Sequence, residues 1–251
     1  MSTLEGKVAI VTGGARDIGR AVSEKLGANG AKVVVNYFRS QEDGDVTVKA
    51  ITDAGGQAIA VAGDMTKKAD VDNLVAEARK AFGDSIDVLV NVVGGLVERV
   101  PLAEMDESFF ESIMKLNLTS TFLASQSVIP HMGEGSSIVN LASLAGRDGG
   151  GPGAGAYATS KGAVMTLTRA FAKELGPSGI RVNGVCPGMI NTTFHDTFTK
   201  DAVRANVAAG TPLRREGEAA EVADLVIYLA SSESSYMSGT NVDINGGAYY
   251  S

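Results

Sequence analysis

The chain has 251 residues, 44% of them hydrophobic, with 31 glycines and a formal net charge of -7. That is ample core for one large α/β domain, and a negative balance without any basic run excludes a nucleic-acid or anionic-membrane surface and disfavours a strongly acidic protein partner. Cys186 is the single cysteine and His131 and His195 the only histidines, so no internal disulfide or metal cage is expected, and no apolar stretch approaches the roughly 18 residues of a membrane span.

The opening Met1-Ser2-Thr3-Leu4-Glu5-Gly6-Lys7 has no signal-peptide layout, and a cytoplasmic location is the expectation. Residues 7–12 (Lys-Val-Ala-Ile-Val-Thr) form a β-branched apolar run of the kind a buried parallel strand needs. The turn Gly13-Gly14-Ala15-Arg16-Asp17-Ile18-Gly19 follows. A helical pattern (Ile18, Ala21, Val22, Leu26) then stops at Gly27-Ala28-Asn29-Gly30. Strand, glycine turn and helix make the first half of a dinucleotide unit, in which the backbone approaches a pyrophosphate at the helix N-terminus. Any tight strand-to-helix turn uses glycine. The weight therefore lies in position: this turn comes first, and a second strand, Lys32–Tyr37, follows.

The alternation continues to the end of the chain. Helical patterns cover roughly 42–54, 67–82 and 104–131, and a late helix covers about 218–230. Strand-like runs are Gln57–Ala62, 86–91, 136–141, 180–186 and Asn241–Ile244. Such alternation predicts one parallel sheet with helices on both faces, a single doubly wound domain across 1–251 without linker or internal repeat. Ligands of these sheets bind beyond the carboxyl ends of the strands. The segments 13–19, 37–40, 64–65, 91–95, Ser143 and 187–192 are thus expected to line one crevice.

Tyr157-Ala158-Thr159-Ser160-Lys161 opens an apolar-periodic run (Ala163, Val164, Leu167, Ala170, Phe171, Leu175) that reads as a helix. Residues four apart share a helix face, so Tyr157 and Lys161 project together. An ammonium within several ångströms favours a phenolate, which makes the two a plausible acid/base couple. Alone the spacing carries little, because it recurs by chance on amphipathic helices. Ser143, just past the fifth strand, is expected beside Tyr157, although a serine there also serves as a cap or turn residue.

Taken together, Thr12-Gly13-x-x-x-x-Ile18-Gly19, Asp64, Asn91-x-x-Gly94, Asn117, Ser143, Tyr157-x-x-x-Lys161, Asn183 and Pro187-Gly188 resemble the short-chain dehydrogenase/reductase family over essentially the whole chain. The resemblance implies a single-domain Rossmann fold with about seven strands and hydride transfer between a nicotinamide dinucleotide and a carbonyl or alcohol. It implies Tyr157 as general acid in reduction, Lys161 as the group that lowers its pKa and binds the nicotinamide ribose, Ser143 on the substrate carbonyl, and Asn117 as holder of a relay water. Asp64, with Met65 beside it, would meet the adenine. Asn91 and Gly94 would lie under the adenosine ribose, and Pro187, Gly188, Ile190 and Thr192 against the nicotinamide. Asp64 could equally cap the following helix, and Asn117 could be a mid-helix asparagine bonded to nearby backbone. Two positions depart from the family pattern. Asp17 stands where glycine is usual, so its carboxylate would approach the phosphates or a ribose hydroxyl, and Val92-Val93 replace an Asn-Ala pair.

A carboxylate after the second strand selects NAD and an arginine selects NADP. Here Tyr37-Phe38-Arg39-Ser40 has no acid at the strand end, and Arg16 and Arg39 could both reach a 2′-phosphate. NADP(H) is therefore favoured, with NAD(H) possible because Asp17 and Glu42 pull the other way. Segments 95–100, 146–153 and 189–203 are expected to face the substrate, with about 189–210 as a lid. Ser143, Tyr157, Arg147 and His195 would contact the substrate, and Arg99 and the lid threonines suit a small polar one. A sugar-derived ketone or keto-uronate is the first expectation. A 3-oxoacyl-carrier-protein reductase is the alternative, and a non-catalytic dinucleotide sensor is an alternative of another class. The ending 238–251 is similar to that of relatives that assemble as homotetramers.

Overall fold

Short β-branched runs stack side by side because each is too apolar to leave on a surface and too short to span the core as a helix. The computed structural model describes residues 4–250; residues 1–3 and 251, the outer ends of the expected domain, lie outside the described residues. The first strands and helices are β1 Val8–Thr12, α1 Asp17–Ala28, β2 Lys32–Tyr37, α2 Gln41–Asp53, β3 Gln57–Ala62, α3 Lys68–Phe82 and β4 Val88–Asn91. Next come α4 Glu107–Met114, a π-turn Lys115–Thr119, α5 Ser120–Val128, β5 Ser137–Leu141, α6 Ala145–Asp148, α7 Gly155–Leu175 and β6 Arg181–Pro187. The chain closes with β7 Ile190–Asn191, α8 Thr193–Phe198, α9 Asp201–Gly210, β8 Gly217–Glu218, α10 Ala219–Ala230 and β9 Asn241–Ile244.

Seven strands make one parallel sheet in the order β3-β2-β1-β4-β5-β6-β9. The order reverses between β1 and β4, where Ala9 pairs with Val33 on one side and Val88 on the other. Successive side chains of each strand point to opposite faces, which divides the core. Val11, Val33 and Val90 pack with Val22 and Leu26 of α1 and Val226 of α10. Ile10, Val34 and Leu89 pack instead with Leu74 of α3, Val128 of α5 and Phe171 of α7. Among the described residues no helix is long and apolar enough to cross a membrane.

The predicted pattern over 104–131 is not one helix. Asp106 caps α4 by accepting from the Phe109 N–H at 2.7 Å, a π-turn interrupts at 115–119, and Pro130 sits in a terminal 3-10 turn. The glycine-rich segment after Ser143 contains the short helix α6, and the expected lid consists of two helices, α8 and α9. Sequence reading missed the small parallel pair β7–β8, in which Ile190 faces Gly217, because two-residue strands carry no periodic signal.

Candidate active site

The β1–α1 turn is built for close backbone approach. Gly13 takes φ +64, and a Cβ on Gly19 would sit 2.0 Å from the Gly13 carbonyl oxygen. Gly13 N–H donates to Asn36 Oδ1 at 3.0 Å, which ties the turn to the end of β2. Thr12 braces the opposite wall, its hydroxyl accepting from the N–H groups of Val92 and Val93 at 3.1 and 3.4 Å. Between these walls runs a crevice of about 980 Å³ along the carboxyl ends of the strands. It is lined by Gly13, Arg16, Asp17, Ile18, Gly19, Tyr37, Phe38, Arg39, Ser40, Gly94, Ser143, Tyr157, Lys161, Pro187, Gly188, Ile190, Thr192 and His195, which the sequence scatters over 183 positions. Volumes near 1,000 Å³ mark the upper range of small-molecule sites. A glycine turn at a helix N-terminus opening into such a crevice fits a dinucleotide.

Ser143, Tyr157 and Lys161 meet at one end. Ser143 Oγ accepts from the Ala145 N–H at 3.1 Å and lies beside the Tyr157 phenol, where it favours the ionised form. The Lys161 ammonium donates to the Leu141 carbonyl oxygen at 2.6 Å and stands 5.9 Å from the centre of the Tyr157 ring. Burial pushes the phenol above its ordinary pKa; the Ser143 hydroxyl opposes this without cancelling it. The one-turn spacing predicts the reverse, a phenol lowered by the ammonium. The difference arises because Lys161 is committed to a carbonyl, and desolvation of the phenol outweighs the charge. Burial likewise brings Lys161 down to about 8.

Asn117 lies in the π-turn, fully buried. Its Oδ1 accepts from Gly95 N–H at 2.9 Å, and its Nδ2 donates to the carbonyls of Gly95 and Ile113. Asn117 thus bonds nearby backbone, and a Cβ on Gly94 would stand 2.5 Å from Asn117 Oδ1 and 3.0 Å from Lys161 Nζ. Gly94 leaves the space those two groups share.

Four expected residues are turned away from the crevice. Asn91 is buried, donating to Ser125 Oγ and Asn140 Oδ1, because the last residue of β4 faces α5 and α7. Asp64 accepts from the Thr66 N–H and hydroxyl and closes a turn; it does not cap α3, whose N-cap position is Lys67. Met65 packs in the core beside α3. Arg147, assigned to the substrate, instead pairs with Asp243 at 3.0 Å and donates to the Asn241 carbonyl at 2.5 Å, joining α6 to β9. Beside that pair the Cys186 thiol is pushed by burial up to about 11.

Other residues enter the site unannounced. Asp43 lines the crevice and holds Arg16 at 3.7 Å and Arg20 at 3.4 Å; Glu42, its exposed neighbour, does not line it. Arg39 leans over the Phe38 ring at 5.3 Å. Asn36 could have been singled out as a buried amide inside an apolar strand. Asp17 takes φ +50 and is bound to neither backbone phosphate-loop groups nor an arginine; its carboxylate accepts from the N–H and hydroxyl of Thr193.

Helix α8 covers the Ser143/Tyr157 end with aromatic rings. Phe194 packs on Tyr157 at 5.9 Å between centroids and on Phe198 at 5.2 Å. Arg99 stands at the rim, donating to the carbonyls of Phe198 and Pro152. His195 Nδ1 lies 3.0 Å from Thr199 Oγ1, and burial, aided by Arg204 and Arg99, lowers its pKa, so the ring is neutral at pH 7. Arg204 binds Glu216, Asp196 and Asn191 and so fastens α8 and α9 to the β7–β8 pair.

A family model described as enoyl-(acyl carrier protein) reductase matches residues 13–249. An uncharacterized oxidoreductase of Methylorubrum extorquens is 39% identical over 249 residues, covering 98% of this chain and 99% of that protein. The solved structure of a short chain dehydrogenase from Burkholderia cenocepacia in complex with NADP superposes with a TM-score of 0.91 at 34% identity, over 98% of this chain and 99% of that one. That of an NADH-dependent reductase responsible for alginate metabolism superposes with a TM-score of 0.91 at 32% identity, over 100% of both.

Proposed function

This chain belongs to the short-chain dehydrogenase/reductase family and is an NAD(P)-dependent oxidoreductase, and we propose that it reduces a small polar carbonyl compound with Tyr157 as the acid. The observation that carries this reading is the meeting of Ser143, Tyr157 and Lys161 under Phe194 at one end of the glycine-turn crevice.

A bound nicotinamide supplies the hydride, or removes it in the reverse direction. The chain's own residues do the rest. The Ser143 hydroxyl donates to the substrate's carbonyl oxygen, and the Tyr157 phenol, held protonated by its burial, gives that oxygen its proton. The phenolate left behind is stabilised by the nearby Lys161 ammonium, which is itself held in place by the Leu141 carbonyl. Asn117 and Gly94 border the Lys161 ammonium, where a relay water would return a proton to the phenolate. The lid excludes water from the acid, because Phe194 lies over its ring.

In this reading the substrate is sugar-derived, a ketone or aldehyde of the keto-uronate class. Phe194 and Phe198 offer an apolar wall for its C–H faces, while Arg99 and neutral His195 offer donors for a carboxylate and hydroxyls. The fold-level likeness to a reductase of alginate metabolism supports the same class. NADP(H) is the preferred dinucleotide, since Arg39 leans on a ring rather than on a carboxylate. The site acts in the cytoplasm, and the free edge of β9 fits assembly as a homotetramer. A 3-oxoacyl-carrier-protein reductase is the second reading, favoured by the carrier-protein description of the matching family.

Steady-state assays with NADPH and NADH against keto-uronates, neutral keto-sugars and 3-oxoacyl thioesters decide between them. The first reading requires the highest kcat/KM on the acidic sugar derivative and a larger rise in KM on it than on its neutral analogue when Arg99→Ala is tested. A preference for the thioester would replace it with the second.

A further inference from the structure

Asp17 is the first residue of α1 and takes φ +50, a left-handed conformation that aspartate tolerates better than most side chains but glycine adopts freely. Both carboxylate oxygens are used across 176 positions of sequence. Oδ1 accepts from the Thr193 N–H at 3.0 Å and Oδ2 from the Thr193 hydroxyl at 2.7 Å. Thr193 begins α8, whose own N-cap residue Thr192 makes no side-chain capping bond. A carboxylate from the glycine turn therefore does the work of a cap for the lid helix that carries Phe194 over Tyr157.

The charge of this carboxylate is not neutralised by its neighbours. Arg16 and Arg20 lean on Asp43 instead, and among the described residues no ion pair includes Asp17. Asp17 also lines the crevice at the turn where, in the dinucleotide reading above on which this rests, phosphates are bound. Phosphates there meet a like charge, and they compete with it for the two Thr193 donors.

We propose that Asp17 is a positioning residue that couples the phosphate end of the crevice to the substrate lid: its bonds to Thr193 seat α8, and an anionic dinucleotide loosens that hold. The two events oppose each other, and by linkage each weakens the other equally. Dinucleotide enters against a fastened lid, and its binding shifts the lid toward the open form that admits the carbonyl substrate.

The test uses the whole protein and reads binding and lid exposure rather than turnover. NADPH and NADH are titrated by fluorescence, and hydrogen exchange is followed at 193–198, with and without dinucleotide. In the parent protein, dinucleotide is expected to speed exchange at the start of α8. Asp17→Asn keeps an acceptor for Thr193 but removes the charge; it is expected to bind dinucleotide roughly five- to twentyfold tighter and to lose the dinucleotide effect on exchange. Thr193→Val removes one bond and keeps the charge; it is expected to speed exchange in the absence of dinucleotide with a smaller gain in affinity. Unchanged or weaker binding by Asp17→Asn, or protection of α8 by dinucleotide in the parent, overturns the coupling while leaving the oxidoreductase reading intact. Failure of either dinucleotide to bind any of the three proteins overturns both.

Discussion

The Lys161 ammonium lies 5.9 Å from the centre of the Tyr157 ring, with its hydrogen bond directed to the Leu141 carbonyl and not to the phenol. The two residues are one helical turn apart, as sequence spacing requires, yet burial drives their proton affinities apart: the phenol rises and the ammonium falls to about 8. A phenol that keeps its proton through neutral pH is suited to give it up to an alkoxide and not to release it to water.

Tyr157→Phe should therefore abolish most carbonyl turnover and spare dinucleotide binding. A positioned acid contributes roughly 10²–10⁴-fold in rate, and loss of that size in kcat is expected. Stopped-flow turnover and dinucleotide titration on the same preparation check it.

The Lys161 shift also predicts a pH dependence of stability. Between about pH 8 and 10.5 the unfolded chain holds a proton on this lysine that the folded chain has released. Stability from this group thus rises with pH across that window, by at most about 3 kcal/mol. Below pH 8 the fold bears the full cost of the buried charge. Lys161→Met removes that cost, so its stability gain over the parent should be largest near pH 7 and shrink toward pH 10. Urea melts of both proteins at several pH values measure the gap, and a gap that stays constant contradicts the shift.

Gly94→Ala should slow catalysis. The new methyl would stand 2.5 Å from Asn117 Oδ1 and 3.0 Å from Lys161 Nζ, so one or both must move. A displacement near 1 Å at catalytic groups can cost on the order of 10²-fold in rate. The expected result is a fall in kcat of at least about tenfold, seen in single-turnover assays.

Arg147→Ala should weaken the fold and leave substrate KM alone. It strands Asp243, whose side chain is 15% exposed and paired at 3.0 Å. Breaking a buried pair costs roughly 3–5 kcal/mol, and this partly exposed one should cost less, about 2 kcal/mol. Denaturant midpoints and KM values together separate this from the substrate role that the sequence suggests.

Arg39→Ala should cost NADPH affinity and spare NADH. A charged hydrogen bond is worth roughly 1.5–3 kcal/mol, or about 10–100-fold in Kd. Equal losses for both dinucleotides would remove Arg39 from the choice between them.

The architecture was legible because it is written in local periods. Valine-rich runs, glycine stops and a 3.6-residue pattern predict the order of strands and helices along the chain, and that alternation predicts a crevice at the carboxyl ends of the strands; the reversal between β1 and β4 is seen only in the assembled sheet. Tyr157 and Lys161 were legible for the same reason, since four residues on a helix share a face. The π-turn was not, because nothing in Lys115-Leu116-Asn117-Leu118-Thr119 marks a change of hydrogen-bond register.

What the tertiary structure alone decided is where each polar side chain is aimed and whom it meets. Asn91 and Gly94 lie three residues apart, yet one enters a buried amide network and the other lines the crevice, because the strand ends between them and its alternation stops. Arg147 is expected at the substrate from sequence and is instead held by Asp243, a partner 96 positions away. Asp17 stands where glycine was expected, and only the folded chain brings Thr193 to its carboxylate. Periodicity is a property of neighbours along the chain and survives in the sequence. Pairings between distant elements depend on how those elements pack, and they exist only once the sheet has assembled.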